Sequence, residues 1–186
     1  MNLKKIAIFV LSFICVLSII QTFFHFKNVI HIRTAFLEEI VFCSSAVNQW
    51  IEPALLETDT NEFKKYISGG KHYVEMLYNK CNVPDGAFTY NILWYKDNYL
   101  LDFTQIDVLG IKNRYMEIYN KCQENTVLSD NDYLFLENFN QSLLNLTKNI
   151  LDDDGKVKMS VVVSKQMFDE IWSTFIEETK GYGYYN

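Results

Sequence analysis

Glycine, proline and basic residues are scarce in this chain of 186 residues. It contains 7 glycines and 2 prolines, a composition that excludes collagen-like repeats and linker-dominated architectures. The 17 lysines and arginines are outnumbered by 23 aspartates and glutamates, so the formal net charge is -6. A chain of this sign has little attraction to phosphate, which argues against nucleic-acid binding. The 14 phenylalanines and 12 tyrosines indicate a folded domain rather than a disordered chain.

Motifs that carry catalysis or bind cofactors are also missing. The sequence has no nucleophile elbow, no zinc-binding H-E-x-x-H, no P-loop and no dinucleotide-binding glycine motif. The acidic run at 152–155 resembles part of a calcium loop, but Ile150 and Val161 would occupy its first and last ligand positions. Neither side chain can bind calcium. We therefore predict a protein that is not an enzyme and that uses no cofactor or metal.

The most specific feature lies near the N-terminus. Between Ile6 and Phe24 there are 19 residues without a charge, directly after a pair of lysines. As a helix, 19 residues rise roughly 28 Å, close to the hydrocarbon thickness of a bilayer. A cleaved signal peptide needs small residues at its cleavage site, and a lipoprotein signal needs them before Cys15; neither is present. We predict an uncleaved transmembrane signal-anchor over residues 6–26, which makes the lipid bilayer one partner of the chain.

The charges on either side of this anchor indicate its orientation. Two lysines and the terminal amine precede it, whereas Lys27 and Arg33 follow it together with two glutamates. The positive-inside rule then favours a cytoplasmic N-terminus by a small margin. We expect residues 1–5 to be cytoplasmic and residues 27–186 to form an extracytoplasmic, periplasmic globular domain on the inner membrane.

Helical patterns dominate the rest of the chain. Apolar residues recur at steps of three and four from Asn28 to Trp50, which predicts that the membrane helix continues outward as a stalk ending at Pro53. Gly69 and Gly70 are expected to bend or break the next helix. The further helices predicted are one that starts with Thr60 as its N-cap, one over 105–122, one over 130–151 capped by Ser129, and one capped by Ser164.

Two stretches alternate like strands. Residues 88–103 read as a hairpin with a turn at 96–98, and residues 157–163 read as a third strand. We therefore expect an α-rich α+β domain with a small antiparallel sheet. Because a hairpin alone is only marginally stable, an all-α bundle is the alternative.

Cysteines and tyrosines supply the candidate contact residues. Cys81 and Cys122 each close a Tyr-Asn-Lys-Cys tetrapeptide at a predicted helix end, and outside the cytosol they can form a disulfide if those ends lie side by side. The alternative is isolated reduced thiols. Tyr182, Tyr184 and Tyr185 lie in a glycine-containing tail that either folds back on its own domain or contacts a partner.

Together these features predict a single-pass, membrane-anchored extracytoplasmic protein that acts by protein–protein interaction. It would be an inhibitor or immunity-type factor, or an accessory subunit of an envelope complex. An acidic, aromatic surface suits a basic protein partner. The alternatives are an extracytoplasmic small-molecule sensor head, which requires a pocket, and a membrane-tethered enzyme without a recognisable motif.

Overall fold

A computed structural model describes residues 3–81 and 105–180, and this part of the chain is all-helical. The small antiparallel sheet expected from the sequence is therefore wrong, and the all-α alternative is correct for these residues. The predicted hairpin over 88–103 falls outside the described residues. In chain order the helices are α1 (Leu3–Leu56), α2 (Thr60–Cys81), α3 (Gln105–Gln123), α4 (Asp130–Ile150), α5 (Met159–Val163) and α6 (Lys165–Lys180).

The predicted strand at 157–163 is replaced by one β-bridge and a short helix. Leu151 pairs with Val157 around a tight turn in which Asp152 accepts two backbone hydrogen bonds. The chain then forms α5, and the adjacent Val161 and Val162 are both buried. Adjacent residues of a strand point to opposite faces, so a strand could not bury both Val161 and Val162 against the same side of the bundle. Packing against the bundle therefore outweighs the β-propensity of the valines.

α1 runs without interruption from the apolar N-terminal segment into the centre of the bundle. Its second half packs against α2, α4 and α5, as the predicted stalk requires. Pro53 lies within the last turn rather than at its end, because the helix continues to Leu56. The buried apolar residues of this half are Phe36, Leu37, Ile40, Cys43, Ala46, Val47, Ile51 and Ala54.

The predicted break in α2 at Gly69 and Gly70 is wrong. A Cβ atom at residue 69 would overlap the ring of Trp50 on α1, and one at residue 70 would overlap the phenol oxygen of Tyr115 on α3. The Tyr115 hydroxyl donates to the backbone oxygen of Ile67 at 2.8 Å. The two glycines thus allow α1 and α3 to approach α2 closely while the helix stays intact.

Polar caps set the starts of three helices. Asp59 rather than Thr60 caps α2, because its carboxylate accepts two backbone N–H bonds from the first turn. Ser129 caps α4 as predicted, in a capping box with Asp132. Ser164 caps α6 as predicted, accepting a backbone N–H at 3.2 Å. These caps fix the short connections between helices.

Candidate functional site

The N-terminal part of α1 is apolar and stands clear of the bundle. Every side chain from Phe9 to Phe24 is exposed, in contrast to the buried residues after Phe36. An 18-residue window here has a mean hydropathy of 2.1, with none of it buried. In water, so large an exposed apolar surface is unfavourable by roughly 25 cal/mol for each Å². By length and composition, this one helix of the described residues could cross a membrane.

One polar side chain of this segment is hydrogen-bonded within its own helix. The Thr22 hydroxyl donates to the backbone oxygen of Ser18 at 2.8 Å, so it is satisfied within its own helix. Lys27 supplies the first charge after the apolar run, and its ammonium lies 4.8 Å from the ring centroid of Phe23. The apolar run of side chains therefore ends where the first charged residue of this part of α1 lies.

The distal groove, as we name it, lies at the other end of the bundle. It has a volume of about 330 Å³ and lies between the end of α1, the start of α2 and the α3–α4 connection. The C-terminal end of α1 is about 45 Å along the helix from Phe26. Val127 in the groove is 90% exposed, and Leu56, which directly precedes the groove residue Glu57 in the chain, is 81% exposed. One large apolar side chain of the groove thus faces solvent, and a second faces solvent where α1 ends next to it.

Aromatic and acidic residues complete the distal groove. The rings of Phe63 and Tyr133 lie 5.7 Å apart, joining α2 to α4 along one wall. Glu57, Asp59 and Lys64 also line the groove, as does Cys122. Glu57 and Asp59 also accept backbone hydrogen bonds that cap the α1–α2 connection. The groove lining therefore combines apolar and aromatic side chains with two carboxylates and one lysine.

A buried carboxylate holds the α3–α4 connection that carries Val127. Asp132 has 0% exposure, and its oxygens accept from Arg114 at 2.7 Å, from Lys121 at 3.0 Å and from the backbone N–H of Ser129 at 2.7 Å. Burial alone would raise the pKa of Asp132. The hydrogen bonds and the neighbouring cations together lower it by more, so the pKa lies below its ordinary value. The carboxylate is therefore charged at neutral pH and links α3 to α4.

The structure does not bring Cys81 and Cys122 together. Lys64 at the start of α2 donates to the backbone oxygen of Gln123 at the end of α3, so the two helices are antiparallel. The two cysteines consequently lie at opposite ends of the helix pair, and both are free. Burial raises the pKa of both thiols, which keeps them protonated at neutral pH.

The remaining candidates from the sequence are placed as follows. Tyr182, Tyr184 and Tyr185 lie outside the described residues. Within residues 3–81 and 105–180, no group of three or more histidine, cysteine, aspartate or glutamate side chains is arranged to hold a metal ion. The role of Asp132 was missed from the sequence, although Ser129 three residues before it is the signature of a capping box.

Comparison with known proteins adds no relative: no family model matches the chain, and no match is found among curated proteins or solved structures.

Proposed function

We propose that this protein is a single-pass, membrane-anchored binding protein whose helical domain stands outside the cytoplasm and acts on another protein. The observation that carries this proposal is the division of α1 into two parts. Residues 9–24 are exposed and mostly apolar, whereas eight apolar residues between 36 and 54 of the same helix are buried in the core of the bundle. A bilayer provides the environment that the first part needs.

The continuous helix supports a fixed geometry of the domain relative to the membrane. Arg33, seven residues after Phe26, donates to the backbone oxygen of Val162 at 3.1 Å and so joins α5 to α1 near the membrane. The distal groove lies at the far end of the same helix. The anchor therefore presents the groove away from the lipid surface, where a protein partner can reach it.

The composition of the distal groove supports a protein as its partner. Val127 is an exposed apolar side chain in the groove that the aromatic ring pair also lines, and the exposed Leu56 precedes the groove residue Glu57. Apolar and aromatic surface of this type forms the core of protein interfaces. The carboxylates of Glu57 and Asp59 favour a partner with basic residues around an apolar contact. An inhibitor or immunity-type factor, or an accessory subunit of an envelope complex, would use such a surface.

Site-specific photo-crosslinking in intact cells tests this assignment. We expect a photoreactive amino acid at Val127 to give a discrete adduct with one protein. The matched control is Val163, which is also an exposed valine but lies on α5 at the membrane-proximal end. It should give no such adduct. Adding Leu56→Asp should lower the yield from position 127 about tenfold, equivalent to about 1.4 kcal/mol of binding free energy.

Two results would contradict the assignment. One is an adduct of equal yield and size from both positions. The other is the absence of any adduct from position 127 while the protein is present at its normal level in the membrane.

A further inference from the structure

A second cavity is lined by residues none of which belongs to the distal groove. This α1–α4 cavity has a volume of about 480 Å³ and is bounded by α1, α4 and the turn that follows α4. Asn48 and Glu52 line it from α1, and Leu144 and Thr147 line it from α4. Asp153 lines it from the turn. Three separate segments of the chain thus contribute polar groups to one space.

Two oxygen atoms on the walls of this cavity lack hydrogen-bond partners among the described residues. They are Oδ1 of Asn48, a side chain that is only 6% exposed, and Oγ1 of Thr147 on the facing helix. A buried polar atom without a partner is unfavourable, because it has lost its hydrogen bonds to water and gained none in return. The amide oxygen can only accept a hydrogen bond and the hydroxyl can accept one as well as donate, so a bound group that brings N–H donors would satisfy both atoms.

The charges around the cavity also favour a donor with positive charge. Glu52 and Asp153 form no ion pair within the described part of the chain, whereas Asp152 accepts backbone hydrogen bonds of its own turn. Of the two lysines on the lining, Lys158 donates to two backbone oxygens at the end of α4, and Lys148 is exposed. Glu52, Asp152 and Asp153 are exposed as well, so the lining carries three carboxylates against two lysines, a net charge of -1.

We propose that the α1–α4 cavity binds a small organic cation that carries a primary ammonium group on a short alkyl chain. The ammonium donates to Oδ1 of Asn48 and Oγ1 of Thr147 and pairs with the carboxylate of Glu52. The alkyl chain packs against Leu144. This site is independent of the distal groove, so the protein partner and the cation are separate ligands.

Binding of defined amines to the full-length protein in detergent micelles tests this proposal. We expect butylamine and 1,4-diaminobutane to bind saturably by calorimetry and to raise the thermal unfolding midpoint, as ligands of the folded state do. The matched neutral compound, 1,4-butanediol, should do neither.

Variants of the lining residues show whether the amine binds in the α1–α4 cavity or elsewhere on the protein. Thr147→Val keeps the shape of the side chain and removes an unpartnered hydroxyl, so the protein should fold with an unchanged or slightly higher midpoint. Its affinity for butylamine should fall about tenfold, equivalent to about 1.4 kcal/mol. Glu52→Gln should weaken binding similarly. Thr174→Val, on the exposed face of α6, should leave binding unchanged.

The proposal is overturned if neither amine binds saturably to the unaltered protein, or if the diol binds as well as the amines do. It is also overturned if Thr147→Val and Glu52→Gln bind butylamine with unchanged affinity. None of these results bears on the membrane anchor or on the distal groove.

Discussion

Replacing Asp132 by alanine is expected to lower the free energy of unfolding by about 3–5 kcal/mol. The substitution removes the buried partner of Arg114 and Lys121, whose side chains are themselves largely covered. It also removes one half of the capping box that begins α4 with Ser129. Urea denaturation of the full-length protein in detergent micelles, followed by circular dichroism, measures the change.

Two control variants identify the cause of this loss. Asp130→Ala changes an exposed carboxylate in the first turn of the same helix and should cost less than about 0.5 kcal/mol. Asp132→Asn keeps the shape but loses the charge, so its stability should lie between that of Asp132→Ala and the unaltered protein. Equal effects of Asp130→Ala and Asp132→Ala would show that the ion cluster contributes nothing specific.

The contribution of Asp132 should also depend on pH. Its pKa in the folded state is lower than the value of about 3.8 expected when unfolded. The unfolded state therefore binds the proton more readily. The stabilisation is fully present above pH 3.8 and is lost as the pH falls through the folded-state pKa. The difference in stability between the unaltered protein and Asp132→Asn should thus shrink as the pH is lowered below that value.

Gly70→Ala should destabilise the protein by about 1–3 kcal/mol, although alanine is normally favoured over glycine within a helix by about 1 kcal/mol. The sign reverses because the new methyl group would overlap the phenol oxygen of Tyr115. Removing that oxygen should remove most of the clash. In a Tyr115→Phe background, Gly70→Ala is therefore expected to cost far less, and a double-mutant cycle of unfolding free energies measures this coupling.

Gly69→Ala provides the matched control for this cycle. Its methyl group would overlap the ring of Trp50 instead, so Tyr115→Phe should not relieve it and the two effects should add. Tyr115→Phe alone should cost about 0.5–1.5 kcal/mol, because the hydrogen bond to the backbone oxygen of Ile67 is lost. If the unfolding free energies of Gly70→Ala and Tyr115→Phe were also additive, the contact with the phenol oxygen of Tyr115 would not be the reason that alanine is unfavourable at residue 70.

The helices were predictable wherever local signals determine them. The sequence places helices at 105–122 and 130–151, and the structure has them at Gln105–Gln123 and Asp130–Ile150. A polar cap and an apolar stripe are properties of consecutive residues, so they can be recognised without knowledge of neighbours. The valines of α5 were misread because their β-propensity is outweighed by packing that consecutive residues do not reveal. The glycines of α2 were wrongly predicted to bend or break the helix, because their contacts with Trp50 and Tyr115 of other helices are likewise not evident from consecutive residues.

The sites depend on contacts between helices that are distant in sequence. Cys81 and Cys122 are far apart because α2 and α3 are antiparallel. The relative direction of two helices cannot be predicted from the residues of either helix alone. Likewise, Asn48 and Thr147 line one cavity only because α1 and α4 pack together. By contrast, the apolar segment of α1 was evident from composition alone, since nineteen uncharged residues are uncommon in any other setting.

Alkaline carbonate extraction of cell membranes tests most directly whether α1 combines a membrane span with the core of the domain. We expect the full-length protein to stay in the membrane pellet. Leu17→Arg places a charge at the centre of the apolar segment, at a cost of about 2.5–3.5 kcal/mol, and should move much of the protein into the supernatant. Val127→Arg, a comparable change in the distal groove, should leave it in the pellet. Recovery of the unaltered full-length protein in a salt-washed supernatant, or of a form that begins after Phe26, would contradict the account.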